Sequence, residues 1–134
     1  MKRNSLIVLT LAVGLLAATV PMLAHHAISA EFDTNKPIKF SGTVKTVDWM
    51  NPHIYVHIES KDETGKTILY SVEGGPPNSL FRQGWRKDTL KPGTVVQVSG
   101  SRAKKAESNR VNGSITMPDG RVFARGSANP PAQQ

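Results

Sequence analysis

The chain has no cysteine, few aromatic residues and fewer acids than bases. The absence of cysteine from all 134 residues excludes disulfide bonds, thiolate nucleophiles, iron–sulfur clusters and Cys-type zinc sites. Aromatic residues make up only 6% of the chain, which leaves little material for a stacking surface once a core is filled. Any bound metal would have to use histidine, a carboxylate or a terminal amine.

A long uncharged hydrophobic stretch occurs only at the amino terminus. The basic pair Lys2-Arg3 precedes an apolar run at 6–16, and the small residue Ala24 follows Pro21. This order is typical of an export signal peptide, which we assign to residues 1–24. We therefore expect a periplasmic or secreted protein.

Two alternatives to this assignment stay open. The uncharged stretch 6–24 is just long enough to serve as an uncleaved membrane anchor. Alternatively, a signal peptidase would cut after Ala27 or Ala30 instead of Ala24, and the choice decides which histidines the exported chain keeps.

The net charge is positive with or without the signal peptide. Residues 1–24 hold two of the 17 bases and none of the ten acids, so the remaining chain has 15 bases against ten acids, a net charge of +5. For an exported protein this predicts an anionic envelope polymer or a membrane surface as partner, and it argues against nucleic acid. A solvated basic surface that aids solubility is the simpler interpretation.

Alternation of apolar and polar residues predicts a β-rich fold from residue 38 onward. In the first strand the apolar positions shift by one residue between Val44 and Val47, which indicates a β-bulge, and Gly42 suits a barrel corner. A second strand at 54–59 is expected to return through a polar turn into a third. The later strands are predicted at 67–73, 94–100, 110–117 and 121–123.

One short helix is expected between the third and fourth strands. Asn78-Ser79 would cap it and Gly84 would end it. Its Leu80 and Phe81, with Trp85 beyond, would plug one end of the barrel. Trp49 is expected in the core as well.

This order of elements predicts an all-β domain with one short helix, a small five-to-six-stranded OB-like Greek-key barrel. A β-sandwich with the same number of strands would give nearly the same pattern. The predicted organisation is a signal peptide at 1–24, an extended segment at 25–37, the barrel at 38–126 and a flexible tail at 127–134.

Several short motifs occur in an order that resembles a known family. They are Ala24-His25-His26 with Glu31-Phe32-Asp33, Gly42-Thr43-Val44, Trp49 with Asn51-Pro52-His53, Pro77-Asn78-Ser79-Leu80 with Arg82 and Gly84-Trp85, and Leu90-Lys91-Pro92-Gly93. This combination is similar to a family of small exported bacterial proteins, domain-of-unknown-function family six-one-five-two. The resemblance implies an exported single β domain of unassigned activity. The local sequence at Gly75-Pro76 departs from the pattern of that family.

Histidines predict one candidate metal site. Cleavage after Ala24 would give His25 a free α-amine, and that amine and its own imidazole can chelate Cu(II). A third nitrogen from His26, His53 or His57 would complete the site, and of the last two, which lie too far apart on one strand to bind the same ion, His53 is favoured. Cleavage after Ala27 or Ala30 would remove His25 and His26. His53 lies at a loop-to-strand junction after Asn51-Pro52, and a purely structural role for its ring is the alternative.

A binding function without catalysis is the main prediction. OB-like barrels hold ligands on the face of strands two and three, where Tyr55 and His57 are predicted to lie. An oligosaccharide or an anionic polymer would suit the compartment. No nucleophile elbow, phosphate-binding glycine loop or metalloprotease helix indicates an enzyme. A structural subunit of the cell envelope, pairing through strand edges, is a further alternative.

Overall fold

A computed structural model describes residues 28–105 and 107–124 of the chain. The predicted signal peptide, the histidines His25 and His26 and the tail at 127–134 lie outside the described residues. No helix within the described part is long and apolar enough to span a bilayer. The described elements are β1 (Phe32–Asp48), β2 (Tyr55–Lys61), β3 (Thr67–Glu73), α1 (Pro77–Arg82), β4 (Val95–Ala103), β5 (Arg110–Thr116) and β6 (Val122–Ala124).

Five of the strands close into a ring. The sheet order is β3-β2-β1-β4-β5-β6, and β3 also pairs with β5. That closing pair is parallel, while all the other pairs are antiparallel. The ring order, with α1 between β3 and β4, is that of an OB-like Greek-key barrel. The predicted fold class is confirmed, and the closed ring excludes the sandwich.

The first strand, β1, is 17 residues long and pairs with two other strands. Its first part pairs with β4 and its last part with β2, and Thr43 is paired in both ladders. The predicted bulge is confirmed, because the β1–β2 register shifts between Val44 and Thr46. At Gly42 a Cβ atom would lie 2.6 Å from the carbonyl oxygen of Glu59, so a side chain has no room where β1 changes partner.

The barrel strand begins at Phe32, earlier than the predicted Ile38. Residues 28–31 are helical. The segment that was predicted to be extended over 25–37 therefore lies partly in β1 and partly, at 28–31, in a helix. The register between β1 and β4 is irregular between Phe32 and Pro37, where the predicted alternation had not yet started.

Alternating residues of every ring strand fill the barrel. In β2, Val56 and Ile58 are completely buried, and Tyr55, His57 and Glu59 between them face outward, as predicted. Burying such branched side chains stabilises the fold by about 1.5–3 kcal/mol each. The largest fully buried side chains are Phe123, Ile54, Ile58, Leu80, Ile115, Val44, Val56, Val72, Val96, Val98 and Val111.

Two glycines face each other across β4 and β5. Gly100 is the register partner of Gly113. A Cβ atom at either position would overlap the backbone of the other strand. The two strands therefore approach more closely at this pair than side chains would allow.

One end of the barrel is closed by α1 and the residues after it. Leu80 is completely buried, and Trp85 is 5% exposed with its ring edge-on to Phe123 at 5.1 Å. Both were predicted to close this end, and both do. Phe81 was also expected there, but it is 56% exposed. A six-residue helix turns only one narrow face inward, and Leu80 occupies it.

The ends of α1 match the prediction only at the carboxyl side. Gly84 follows the helix with φ +89°, a conformation that favours glycine. At the amino end the expected cap at Asn78-Ser79 was wrong, because the N-cap is Pro76 and no side chain caps the helix there. Pro77 takes the first helical position, where a missing N–H costs no hydrogen bond.

Replacing Trp85 with alanine should destabilise the barrel by about 3–5 kcal/mol, because it removes the largest side chain from the closed end. Phe81→Ala is the matched control. Since Phe81 is exposed and only stacks on Arg86, it should cost about 1 kcal/mol or less. Urea unfolding followed by circular dichroism measures both. Equal losses for the two variants would contradict the placement of Trp85.

Candidate functional site

The candidate site lies where the β1–β2 connection enters β2. This connection contains a cis peptide bond between Asn51 and Pro52, and His53 follows it just before the start of β2. Tyr55 and His57 follow on the outer face of β2, because the residues that alternate with them fill the barrel. In OB-like barrels this face of the second and third strands, with the adjacent loops, is the usual ligand surface.

A buried carboxylate forms the centre of the site. The side chain of Glu73, at the end of β3, is only 4% exposed. One of its oxygens lies 2.8 Å from His53 Nδ1, and the other accepts a hydrogen bond from Arg110 Nη2 at 2.9 Å. A carboxylate can be buried at this position because charged and polar donors compensate for its lost hydration.

Strand pairing brings these residues together from distant parts of the chain. Glu73 is the register partner of Tyr55 in the β2–β3 ladder. In the parallel β3–β5 ladder, Ser71 pairs with Arg110 at the first residue of β5. The β2–β3 ladder therefore places His53 and Tyr55 beside Glu73, and Arg110 joins them only because the ring closes.

Two aromatic rings flank the guanidinium group of Arg110. Its central carbon lies 5.6 Å from the ring centre of Tyr55 and 5.7 Å from that of Phe32. Both distances lie within the range of about 6 Å over which a cation is attracted to an aromatic ring. Arg110 thus contacts Glu73, Tyr55 and Phe32, and its side chain is 35% exposed.

A second imidazole–carboxylate pair lies further along β2. His57 Nε2 is 2.8 Å from the Asp48 carboxylate at the end of β1. Both side chains are partly exposed, at 25% and 44%. This pair lies at the surface, in contrast to the pair formed by His53 and the buried Glu73.

The arrangement fixes the imidazole of His53 in one orientation. In a neutral ring that donates Nδ1–H to Glu73, the lone pair is on Nε2, and a nitrogen of this kind can accept a hydrogen bond or coordinate a metal. The tautomer is inferred here from the hydrogen-bond partner. Within residues 28–105 and 107–124, no group of three or more His, Cys, Asp or Glu side chains converges on a metal position.

Two of the residues at this site were not predicted from the sequence. Glu73 follows the outward alternation of Leu69 and Ser71, so its position looked like an ordinary solvent-facing one. Arg110 is separated from Glu73 by 37 residues and becomes its neighbour only through the β3–β5 pair. A sequence signal was nevertheless present, because the OB-like order itself predicts that strands three and five meet.

The predicted site residues are brought together only in part. His53 and Tyr55 both lie beside Glu73 or Arg110, while His57 is paired with Asp48. His25 and His26 are outside the described residues, so their predicted role as copper ligands stays a prediction.

The model of the family of unknown function DUF6152 matches residues 12–112, three quarters of the chain. The chain belongs to the DUF6152 family. The family predicted from the sequence motifs is thus confirmed, and the matched range includes His53, Tyr55, Glu73 and Arg110. Among the curated proteins and among the solved structures, none matches this chain. The DUF6152 family has no assigned activity, so a function must be argued from the site.

Replacing Glu73 with glutamine should destabilise the fold by about 1.5–3 kcal/mol, because it removes the charge that the hydrogen bonds of His53 and Arg110 complement. The matched control is Glu59→Gln. The Glu59 carboxylate lies 3.7 Å from Lys45 Nζ, and both side chains are about half exposed. That exposed pair should contribute about 1 kcal/mol at most. Urea unfolding at neutral pH compares the two variants, and a Glu73→Gln loss no larger than that of the control would refute the central role of Glu73.

Proposed function

We propose that this DUF6152 protein is an exported periplasmic protein that binds a ligand on the outer face of β2 and β3 and catalyses no reaction. The observation that carries the proposal is the buried Glu73 carboxylate, which holds both His53 and Arg110. Side chains held in this way lose little conformational freedom when a ligand arrives, so more of the contact energy appears as affinity.

The chemistry of the face supports a neutral or weakly charged polar ligand. The Glu73 and Arg110 charges compensate each other, so the basic net charge of the chain is not concentrated here. Tyr55 offers a half-buried ring, and His53 and His57 offer polar ring edges. A planar ring beside hydrogen-bonding groups suits a sugar ring, and the proposed compartment contains envelope oligosaccharides.

The proposed location rests on the sequence of residues 1–24. The basic start, the apolar run and the small residue at Ala24 support export. In the periplasm the protein would meet cell-wall oligosaccharides directly, and a function in nucleic-acid binding would have no substrate there.

A second candidate function is binding of Cu(II) at His53. The observation that favours it is the Nδ1 contact to a carboxylate, because metal-binding histidines almost always have such a partner on the other ring nitrogen. The sequence prediction assigns further ligands to His25 and His26, which lie outside the described residues. Cu(II) is the metal that nitrogen ligands favour most among the common divalent ions.

Titration of the isotope-labelled protein with soluble peptidoglycan disaccharide-peptides tests the first proposal. We expect amide shifts at 53–57, at Glu73 and at Arg110, and we expect Tyr55→Ala to weaken binding at least tenfold by removing the stacking ring. Phe81→Ala, which removes an exposed aromatic ring from α1, should leave binding unchanged. Shifts confined to other surfaces, or none at millimolar concentration of the fragments, would refute this ligand assignment.

Native mass spectrometry of the protein recovered from the periplasm tests export and the copper site together. The expected chain begins at His25 and retains one copper ion, and His53→Ala should lower its copper affinity at least tenfold. His57→Ala is the control, because it removes an equivalent imidazole from the neighbouring pair. A chain that begins beyond His26, or a His57→Ala loss as large as that of His53→Ala, would exclude the copper site. Absence of the chain from the periplasm would refute export.

A further inference from the structure

A second surface of the barrel combines positive charge with an aromatic floor. It is a groove of about 400 Å³ between the first part of β1 and the turn that joins β2 to β3. Its floor includes Phe40 and Tyr70, whose rings stack with centres 4.3 Å apart. Tyr70 is buried and Phe40 is half-buried, so the aromatic surface lies at the base of the groove and not on its rim.

Three cations stand around this floor. Lys39 from β1, Lys61 from the end of β2 and Arg102 from β4 line the groove, and all three are exposed. Within the part of the chain that the structure describes, none of the three forms an ion pair. These three positive charges would interact favourably with an anion bound in the groove.

The acids that line the same groove do not cancel this charge. Asp62 and Glu63 also line it, so three cations against two acids leave a net charge of +1. The Asp62 carboxylate accepts hydrogen bonds from the Thr64 and Lys66 amides within its own turn, at 2.9 and 3.0 Å. The hydroxyl of Thr64 also donates to this carboxyl and holds its pKa below the usual range, so Asp62 stays ionised and directed at the turn.

We propose that this groove is a binding site for an organic carboxylate, with the anionic group among Lys39, Lys61 and Arg102 and the apolar body on the Phe40–Tyr70 floor. A volume of about 400 Å³ falls within the range of small-molecule sites. The cations supply the charge and the rings supply apolar contact, so a ligand needs both parts to occupy the groove. This site shares no residue with the face around His53, and the proposal does not rest on the function proposed for that face.

The test uses 1-naphthoate as probe and the neutral 1-naphthamide as its matched counterpart. Titration of the isotope-labelled full chain should shift the amide signals of 38–40, 61–64 and Tyr70 with naphthoate and much less with the amide. Added salt should weaken the binding of naphthoate, because its contacts with the cations are exposed to solvent. Equal affinity for the two probes, or shifts at 53–57 instead of the groove, would overturn the proposal.

Variants separate the groove from general surface charge. Lys39→Gln, Lys61→Gln and Arg102→Gln should each weaken naphthoate binding about two- to fivefold, as expected for exposed charge pairs. Lys91→Gln changes the net charge equally at an exposed position that does not line the groove, and it should have no effect. A Lys91→Gln loss as large as the others would show nonspecific attraction and overturn the proposal. Spectra of the free variants establish that each is folded.

Discussion

The parallel pair between β3 and β5 is the contact on which the rest of the molecule depends. It closes five strands of the six-stranded sheet into a ring, and it brings together segments that are far apart in the chain. Arg110 reaches Glu73 only through this pair, and the carboxylate could not be buried without it. The same contact that closes the barrel therefore assembles the candidate site, so the stability of the fold and the geometry of the site are coupled.

Local patterns in the sequence were sufficient to predict most of the barrel. Alternation located the strands, because each strand has one face in the core and one in solvent. The phase shift between Val44 and Val47 and the glycine at 42 predicted the bulge and the corner correctly. The end of the helix at Gly84 followed from its backbone conformation, which few other residues adopt without strain.

The errors occurred where a position depends on tertiary packing. Phe81 and Leu80 are neighbouring hydrophobic residues of α1, and only the orientation of this six-residue helix decides which of the two is buried. Glu73 shares the alternation of a surface residue, yet it is buried because the partners that compensate its charge come from other strands. Tyr55 and His57 lie on one strand, so alternation was sufficient to place them on the same face. Arg110 joins Glu73 only through ring closure, so their contact could not be predicted from alternation.

The two surfaces proposed to bind ligands differ in how their charges are arranged. Around His53 each charge has a partner, and the side chains are held by those pairs. Around Phe40 and Tyr70 the three cations form no ion pair within the described residues, although Asp62 and Glu63 line the same groove, and the Asp62 carboxylate is hydrogen-bonded to backbone amides of its own turn. Paired charges give a rigid and nearly neutral surface, while unpaired ones give a surface that attracts anions from a distance.

The facing glycines Gly100 in β4 and Gly113 in β5 affect the position of Arg110, at the first residue of β5. Gly100 and Gly113 fit only opposite each other, because a side chain at either position would overlap the backbone across from it. A slip of one residue between these strands would place Asn112 or Ser114 where there is no room for a side chain. The same slip would carry Arg110 away from Glu73. Gly100 and Gly113 thus fix the register of β5 against β4. This register keeps Arg110 aligned with Glu73, although neither glycine contacts that ion pair.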